Sequence, residues 1–167
     1  MFINIENYIT ILYSLIVIAY TSHLFHKRHI DFILLCIFYL CLSIIYTISG
    51  DEKSKFVYIK YDTNKNMTQL IAIAYFVSFL IYIKHIYYPN DLDYVLLCIA
   101  LLIVPIGKYN IITHNNHHNI TLNEFFNIAS FVGISIIMGK HAFLHSDNDY
   151  YWIVAFYLIH TVTIFNL

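Results

Sequence analysis

The ten histidines of this 167-residue chain are the side chains whose type and spacing could do chemistry. His23 and His26 stand at i and i+3, and His141 and His145 at i and i+4. On a helix either spacing sets two imidazoles on one face, a turn apart. Two such pairs on separate helices offer four nitrogen donors, a set suited to a transition metal such as zinc or iron. His23, His26, His141 and His145 are therefore the candidate metal ligands, with Asp147 and Asp149 as neighbouring oxygen donors. The competing reading is that these are interfacial residues. Histidine is amphipathic and favourable near helix carboxyl ends, and loop carboxylates are ordinarily solvated.

His160 differs from the others because it falls deep in an apolar run, beside Thr161 and Thr163. An ionisable group there is costly and faces protein or water rather than lipid. Its readings are a structural hydrogen bond to another helix, or a proton relay, since imidazole titrates near neutrality. The sequence offers no evident partner at its depth; Lys84, Lys108 and Lys140 are all read as lying near segment ends.

A further cluster, His114-Asn115-Asn116-His117-His118, has the form HxxHH, and His141 to His145 has the form HxxxH. Both spacings resemble the histidine boxes of membrane-bound di-iron desaturases and hydroxylases. That family is longer and presents three boxes to one side. Here the intervening helix sets the two boxes on opposite faces. Residues 60–70, Lys-Tyr-Asp-Thr-Asn-Lys-Asn-Met-Thr-Gln-Leu, resemble the opening of the third helix in microbial rhodopsins. A basic residue (Lys60), Tyr61, Thr68 and Leu70 match the pattern. Thr63 stands at the counter-ion carboxylate, Asn64 at the Trp and Gln69 at the Pro. The resemblance implies a retinal-free relative, because no lysine falls mid-span to carry the chromophore; retinal is not expected.

The elements that must position these residues are membrane helices. The chain is 60% hydrophobic and 11% charged, with a mean hydropathy of +0.67. Soluble domains carry about 25% charged residues. Continuous apolar runs predict spans at Tyr8–Leu24, Ile30–Ser49, Met67–His85, Tyr94–Ile112, Glu124–Gly139 and Tyr150–Asn166. Runs of this kind favour helices over a barrel, which needs alternation. Pro105, Gly107 and Lys108 weaken the fourth. Asn127, Ser130, Gly133 and Ser135 suit a face of the fifth packed against other helices. The amino-terminal run lacks a basic flank and a cleavage site, and reads as a first membrane helix rather than a signal peptide.

Six spans bring His23, His26, His29, His85, His141 and His145 to one membrane face, opposite the termini. Five Lys or Arg on the terminal face against four on the other leave orientation undecided. Cys36, Cys41 and Cys98 lie in apolar runs without CxxC spacing and read as buried thiols. No internal repeat is evident by inspection. Phosphate loops, nucleophile elbows and selectivity-filter motifs are absent, and a net charge of −1 gives no argument for nucleic acid.

The expectation is an all-α polytopic membrane helix bundle, residues 1–167 forming one transmembrane domain of about six helices. Its partners are the lipid bilayer and, as a packing prior, further copies of itself. No complete catalytic constellation can be assembled, which leans away from an enzyme. Three function classes stand: a structural, scaffold or small-transport protein; a histidine-liganded metal-binding protein or enzyme; and a rhodopsin-like or proton- or ion-conducting bundle using His160 and the polar face of the fifth helix.

Overall fold

The computed structural model describes residues 5–49, 65–115 and 119–165. Six α-helices account for nearly all of them: α1 (Ile5–His26), α2 (His29–Ser49), α3 (Lys65–Tyr87), α4 (Leu92–Asn115), α5 (Leu122–Phe143) and α6 (Asn148–Phe165). No strand occurs among the described residues. Helix is what these runs must form where water is excluded, because only it satisfies backbone N–H and C=O within one segment. The first five helices are long and apolar enough to cross a membrane; α6, with 18 residues, is not among them. This is the composition of a multi-pass membrane protein.

The fourth run, which Pro105 was expected to interrupt, is one continuous helix of 24 residues. Proline lacks the N–H that would bond the carbonyl four residues back. Packing offsets that loss: Leu101, Val104 and Pro105 are buried, and α4 lies against both α3 and α5. Helix ends follow local chemistry. Thr121 and Glu124 form a reciprocal capping box at the start of α5, with bonds of 3.3 and 2.9 Å. Lys27 closes α1 in the left-handed region, φ 47°, its N–H bonded to the His23 carbonyl at 2.8 Å.

Each helix packs against its neighbours in the chain, and α6 closes on α1. The result is a ring of six antiparallel helices around one core. Close approach is set at two glycines. A Cβ at Gly107 would sit 2.8 Å from Ile71 Cγ1 on α3, and one at Gly133 would sit 2.7 Å from Phe156 Cζ on α6. The small and polar face expected on α5 is buried as foreseen, with Asn127, Ser130 and Ser135 all inside.

The ring also carries an internal repeat that inspection of the sequence does not reveal. Three helical hairpins, α1–α2, α3–α4 and α5–α6, superpose in number with offsets of 62 and 56 residues, the separations of Tyr13 from Tyr75 and of Tyr94 from Tyr150. At equivalent positions stand His23, His85 and His141; Asp31, Asp93 and Asp149; Phe32, Tyr94 and Tyr150; Leu35, Leu97 and Ile153; and Tyr13, Tyr75 and Phe131. All fifteen are buried or nearly so: fourteen fall in the buried class and His85 has a side chain 13% exposed. The signal is the spacing His-x7-Asp-(Phe/Tyr), and apolar similarity between hairpins hides it.

Candidate functional site

Two polar assemblies lie inside the ring, one at each end of an aromatic column. The first is at the hairpin turns. Each odd-numbered helix ends in a histidine, and each following helix begins with the aspartate of the same hairpin. His85 Nδ1 lies 2.8 Å from Asp93 Oδ2, and His141 Nδ1 lies 2.9 Å from Asp149 Oδ2. Lys84 and Lys140 each donate to the other carboxylate oxygen at 2.6 Å. Asp149, for which the sequence favoured a solvated loop carboxylate, is thus 1% exposed and doubly partnered, as is Asp93. At Asp149 burial pushes the carboxyl up, but the hydrogen bonds from Lys140 and His141 outweigh it and hold it below the usual carboxylate range.

The three histidines alternate with three aromatic rings in a closed circle. Centroid distances run His23–Phe32 4.5 Å, Phe32–His85 5.4 Å, His85–Tyr94 5.2 Å, Tyr94–His141 4.6 Å, His141–Tyr150 5.3 Å and Tyr150–His23 4.9 Å. Most are tilted or edge-on contacts, the favoured aromatic geometry. The Tyr94 and Tyr150 hydroxyls meet at 3.2 Å.

His23, His141 and His145, three of the four candidate metal ligands, line one pocket of about 340 Å³ together with Lys27, Asp147 and Tyr150. His26 is exposed and outside that lining. The rings of His141 and His145 stack at 4.9 Å, 9° from parallel. One nitrogen of each is engaged elsewhere: His141 Nδ1 with Asp149, and His145 Nε2 with Asp91 at 2.9 Å. Among the described residues no three His, Cys, Asp or Glu side chains are grouped so as to hold a metal ion. Lys27–Asp147, also at 2.9 Å, joins the first hairpin turn to the third. Of the HxxHH cluster, His117 and His118 lie outside the described residues, and only the backbone of His114 is described.

Below the circle the core is tyrosine. Tyr20 bonds Tyr82, Tyr39 bonds Tyr157, and the Tyr20 and Tyr39 hydroxyls lie 3.4 Å apart. Tyr20 stacks on Tyr157 at 5.5 Å and Tyr39 on Tyr82 at 5.4 Å. One level further, Tyr13 bonds Tyr75 across the ring, from α1 to α3. These six tyrosines are among the largest fully buried side chains of the protein.

The second polar assembly ends the column. His160, fully buried, meets Tyr13 and Phe131 edge-on at 4.6 and 4.4 Å. Its Nε2 lies 3.1 Å from Lys108 Nζ, and its Nδ1 lies 3.3 Å from Ser130 Oγ and 3.2 Å from the Asn127 carbonyl. Lys108 reaches Asn127 Oδ1 at 3.5 Å and sits 5.6 and 5.3 Å from the Tyr13 and Phe131 ring centres. Asn127 in turn donates to Thr163 Oγ1 at 3.0 Å. His160 therefore has the partner that the sequence did not reveal. Lys108, read as a terminal residue, lies seven residues inside the end of α4 and turns its ammonium inward.

The repeat shows how special this assembly is. The positions equivalent to His160 hold Leu42 and Val104; those equivalent to Asn127 hold Ile9 and Ile71; those equivalent to Ser130 hold Leu12 and Ala74; those equivalent to Lys108 hold Tyr46 and Ile164. Where α4, α5 and α6 meet, His160, Asn127, Ser130 and Lys108 together replace apolar or aromatic residues. A lysine amine from a half-buried residue in contact with a fully buried imidazole forms a pair able to hold and exchange a proton. No salt bridge joins Lys108 to a carboxylate among the described residues. The chain matches no family model, no curated protein and no solved structure.

Proposed function

We propose that this is a proton-translocating membrane bundle, in which Lys108 and His160 are the intramembrane relay. Of the three classes open to the sequence, this joins small transport with the conducting bundle. The observation that carries it is the Lys108–His160 contact inside a ring of apolar helices, at positions whose counterparts in the other hairpins are Tyr46 and Ile164, and Leu42 and Val104. Ionisable groups at such depth are expensive, and proteins keep them where charge moves.

The tyrosine column supplies the rest of a path. Lys108 lies 15 residues from Asp93 on the same helix, roughly 22 Å at 1.5 Å per residue. Between them stand three hydrogen-bonded hydroxyl groups of residues: Tyr94 with Tyr150, then Tyr82, Tyr20, Tyr39 and Tyr157, then Tyr13 with Tyr75. A hydroxyl both donates and accepts, so a proton can enter one side and leave the other without the group ionising. Ring rotation or entering water must join the three groups during turnover. The His–Asp–Lys clusters at the turns supply exchangeable protons at the membrane face.

The test is proton flux into liposomes carrying a trapped pH dye, with a potassium gradient and valinomycin setting the potential. Wild-type protein and His26→Ala, an exposed control, should conduct. Lys108→Met and His160→Phe should lose at least nine-tenths of the flux while keeping a monodisperse elution profile. A wild-type protein that conducts no protons sinks this reading and leaves a scaffold or a carrier of another solute.

A further inference from the structure

The three His–Asp clusters are equivalent by position but not by content. In the second and third hairpins the aspartate binds an ammonium and an imidazole: Lys84 with His85 around Asp93, and Lys140 with His141 around Asp149. In the first hairpin Ser22 stands where those lysines stand. Asp31 is nonetheless as buried as its counterparts, 1% exposed. Its hydrogen bond is from the Arg28 backbone N–H at 3.3 Å. The nearest cationic candidate is His23, whose Nδ1 is 3.7 Å away, beyond hydrogen-bonding distance. That nitrogen is buried without a hydrogen-bond partner among the described residues, on a residue 91% buried by its 9% exposure. No lysine or arginine pairs with Asp31 among the described residues; Lys27 pairs with Asp147 instead, and Arg28, His26 and His29 are exposed.

We propose that the first hairpin is a binding site for a primary ammonium group, held by Asp31 in the place that Lys84 and Lys140 fill in the other two. A buried carboxylate with one long backbone bond and no close ammonium is only partly compensated for its desolvation, and an ammonium at about 2.7–2.9 Å would complete it through a charge-assisted bond. A primary ammonium has three N–H donors, so it can serve Asp31 and leave donors for a neighbouring acceptor such as the unpartnered His23 nitrogen. Access is at the same end: His23, whose Nδ1 lies 3.7 Å from Asp31, also walls the 340 Å³ pocket. The other two hairpins are closed at this level because their own lysines occupy the position. The ammonium can come from a soluble amine or from the headgroup of an aminophospholipid, since the site lies at the membrane face.

The experiment reads thermal stability of the full chain through Trp152 fluorescence. In detergent, methylammonium chloride should raise the wild-type Tm by a few degrees and saturate, while sodium chloride and choline chloride at equal ionic strength should not. Ser22→Lys supplies the ammonium from the chain; it should start with a higher Tm and lose the response. Asp31→Asn should lose the response as well and keeps the test decisive if Ser22→Lys does not fold. In nanodiscs, a wild-type Tm higher in phosphatidylethanolamine than in phosphatidylcholine, with no difference for Ser22→Lys, assigns the headgroup. A methylammonium response persisting in phosphatidylcholine assigns a soluble amine. No response in either arm overturns the proposal, and so does an equal response to sodium or choline, or one retained in Asp31→Asn.

Discussion

His141 and Asp149 are eight residues apart and joined at 2.9 Å, and His85 and Asp93 repeat the same bond at 2.8 Å. In both, the histidine ends one helix and the aspartate begins the next, so one hydrogen bond fastens each hairpin at its turn. The lysine preceding each histidine binds the second carboxylate oxygen, which leaves each buried carboxylate with two cationic or imidazole partners. The ring of helices is thereby pinned at its hairpin turns.

Asp149→Asn should therefore destabilise the fold by on the order of 3 kcal/mol, the range for removing one member of a buried ion pair. Asp149 has its carboxyl held below the ordinary range in the folded state. Its contribution is complete above the unfolded carboxylate pKa and is lost as pH falls through the lower folded value. Melting curves taken from pH 7 down to pH 3 should show Tm falling at the acid end, and a shallower fall in Asp149→Asn. An identical acid slope in the two proteins would contradict the assignment.

Lys108→Met should leave Tm unchanged or raise it, although it is expected to abolish flux. Lys108 is bonded to neutral groups, His160 and Asn127, and a thioether of similar length removes a desolvated amine at little packing cost. A Tm loss of more than about 2 kcal/mol equivalent would mean that Lys108 is a structural anchor rather than a relay.

Tyr20 is the node of the tyrosine column, its hydroxyl facing both Tyr82 and Tyr39. Tyr20→Phe removes that node and takes from the buried Tyr82 hydroxyl its Tyr20 partner, while Tyr39 keeps its bond to Tyr157, at a cost of about 1–2 kcal/mol. Proton flux should fall with it. Tyr46→Phe, outside the four-hydroxyl cluster, should retain more flux; equal losses would argue against a directed path.

The two glycine contacts rank differently. Gly107→Ala should cost more than Gly133→Ala, both within about 1–3 kcal/mol. The added Cβ at 107 meets Ile71 Cγ1 at 2.8 Å, close to the backbone of a fully buried residue. At 133 it meets the outer atoms of Phe156, a partly buried ring that can swing toward lipid. Chemical denaturation of both variants in one detergent gives the order directly.

Sequence alone determined the solvent and the class of fold. Apolar runs near the length of a bilayer leave helices as the only structure that satisfies the backbone, so the six elements and their ends were legible to within a few residues. It also determined that six histidines gather at one face, because antiparallel helices alternate ends; the turns at 27–28, 88–91 and 144–147 lie together, tied by Lys27–Asp147 and His145–Asp91. It brought His23, His141 and His145 to notice, and the tertiary structure set them around one pocket while leaving His26 outside. What the chain order could not decide was which side chains face the axis. The hydropathy of a run is indifferent to rotation about its own helix, so Lys108 counted as an interruption until the packing of α4 against α3 and α5 turned it toward His160. The same indifference hid the repeat. Its carriers, His23, His85, His141 and their aspartates, recur 62 and 56 residues apart among apolar runs of similar hydropathy, and only closure of the ring brings them onto one level.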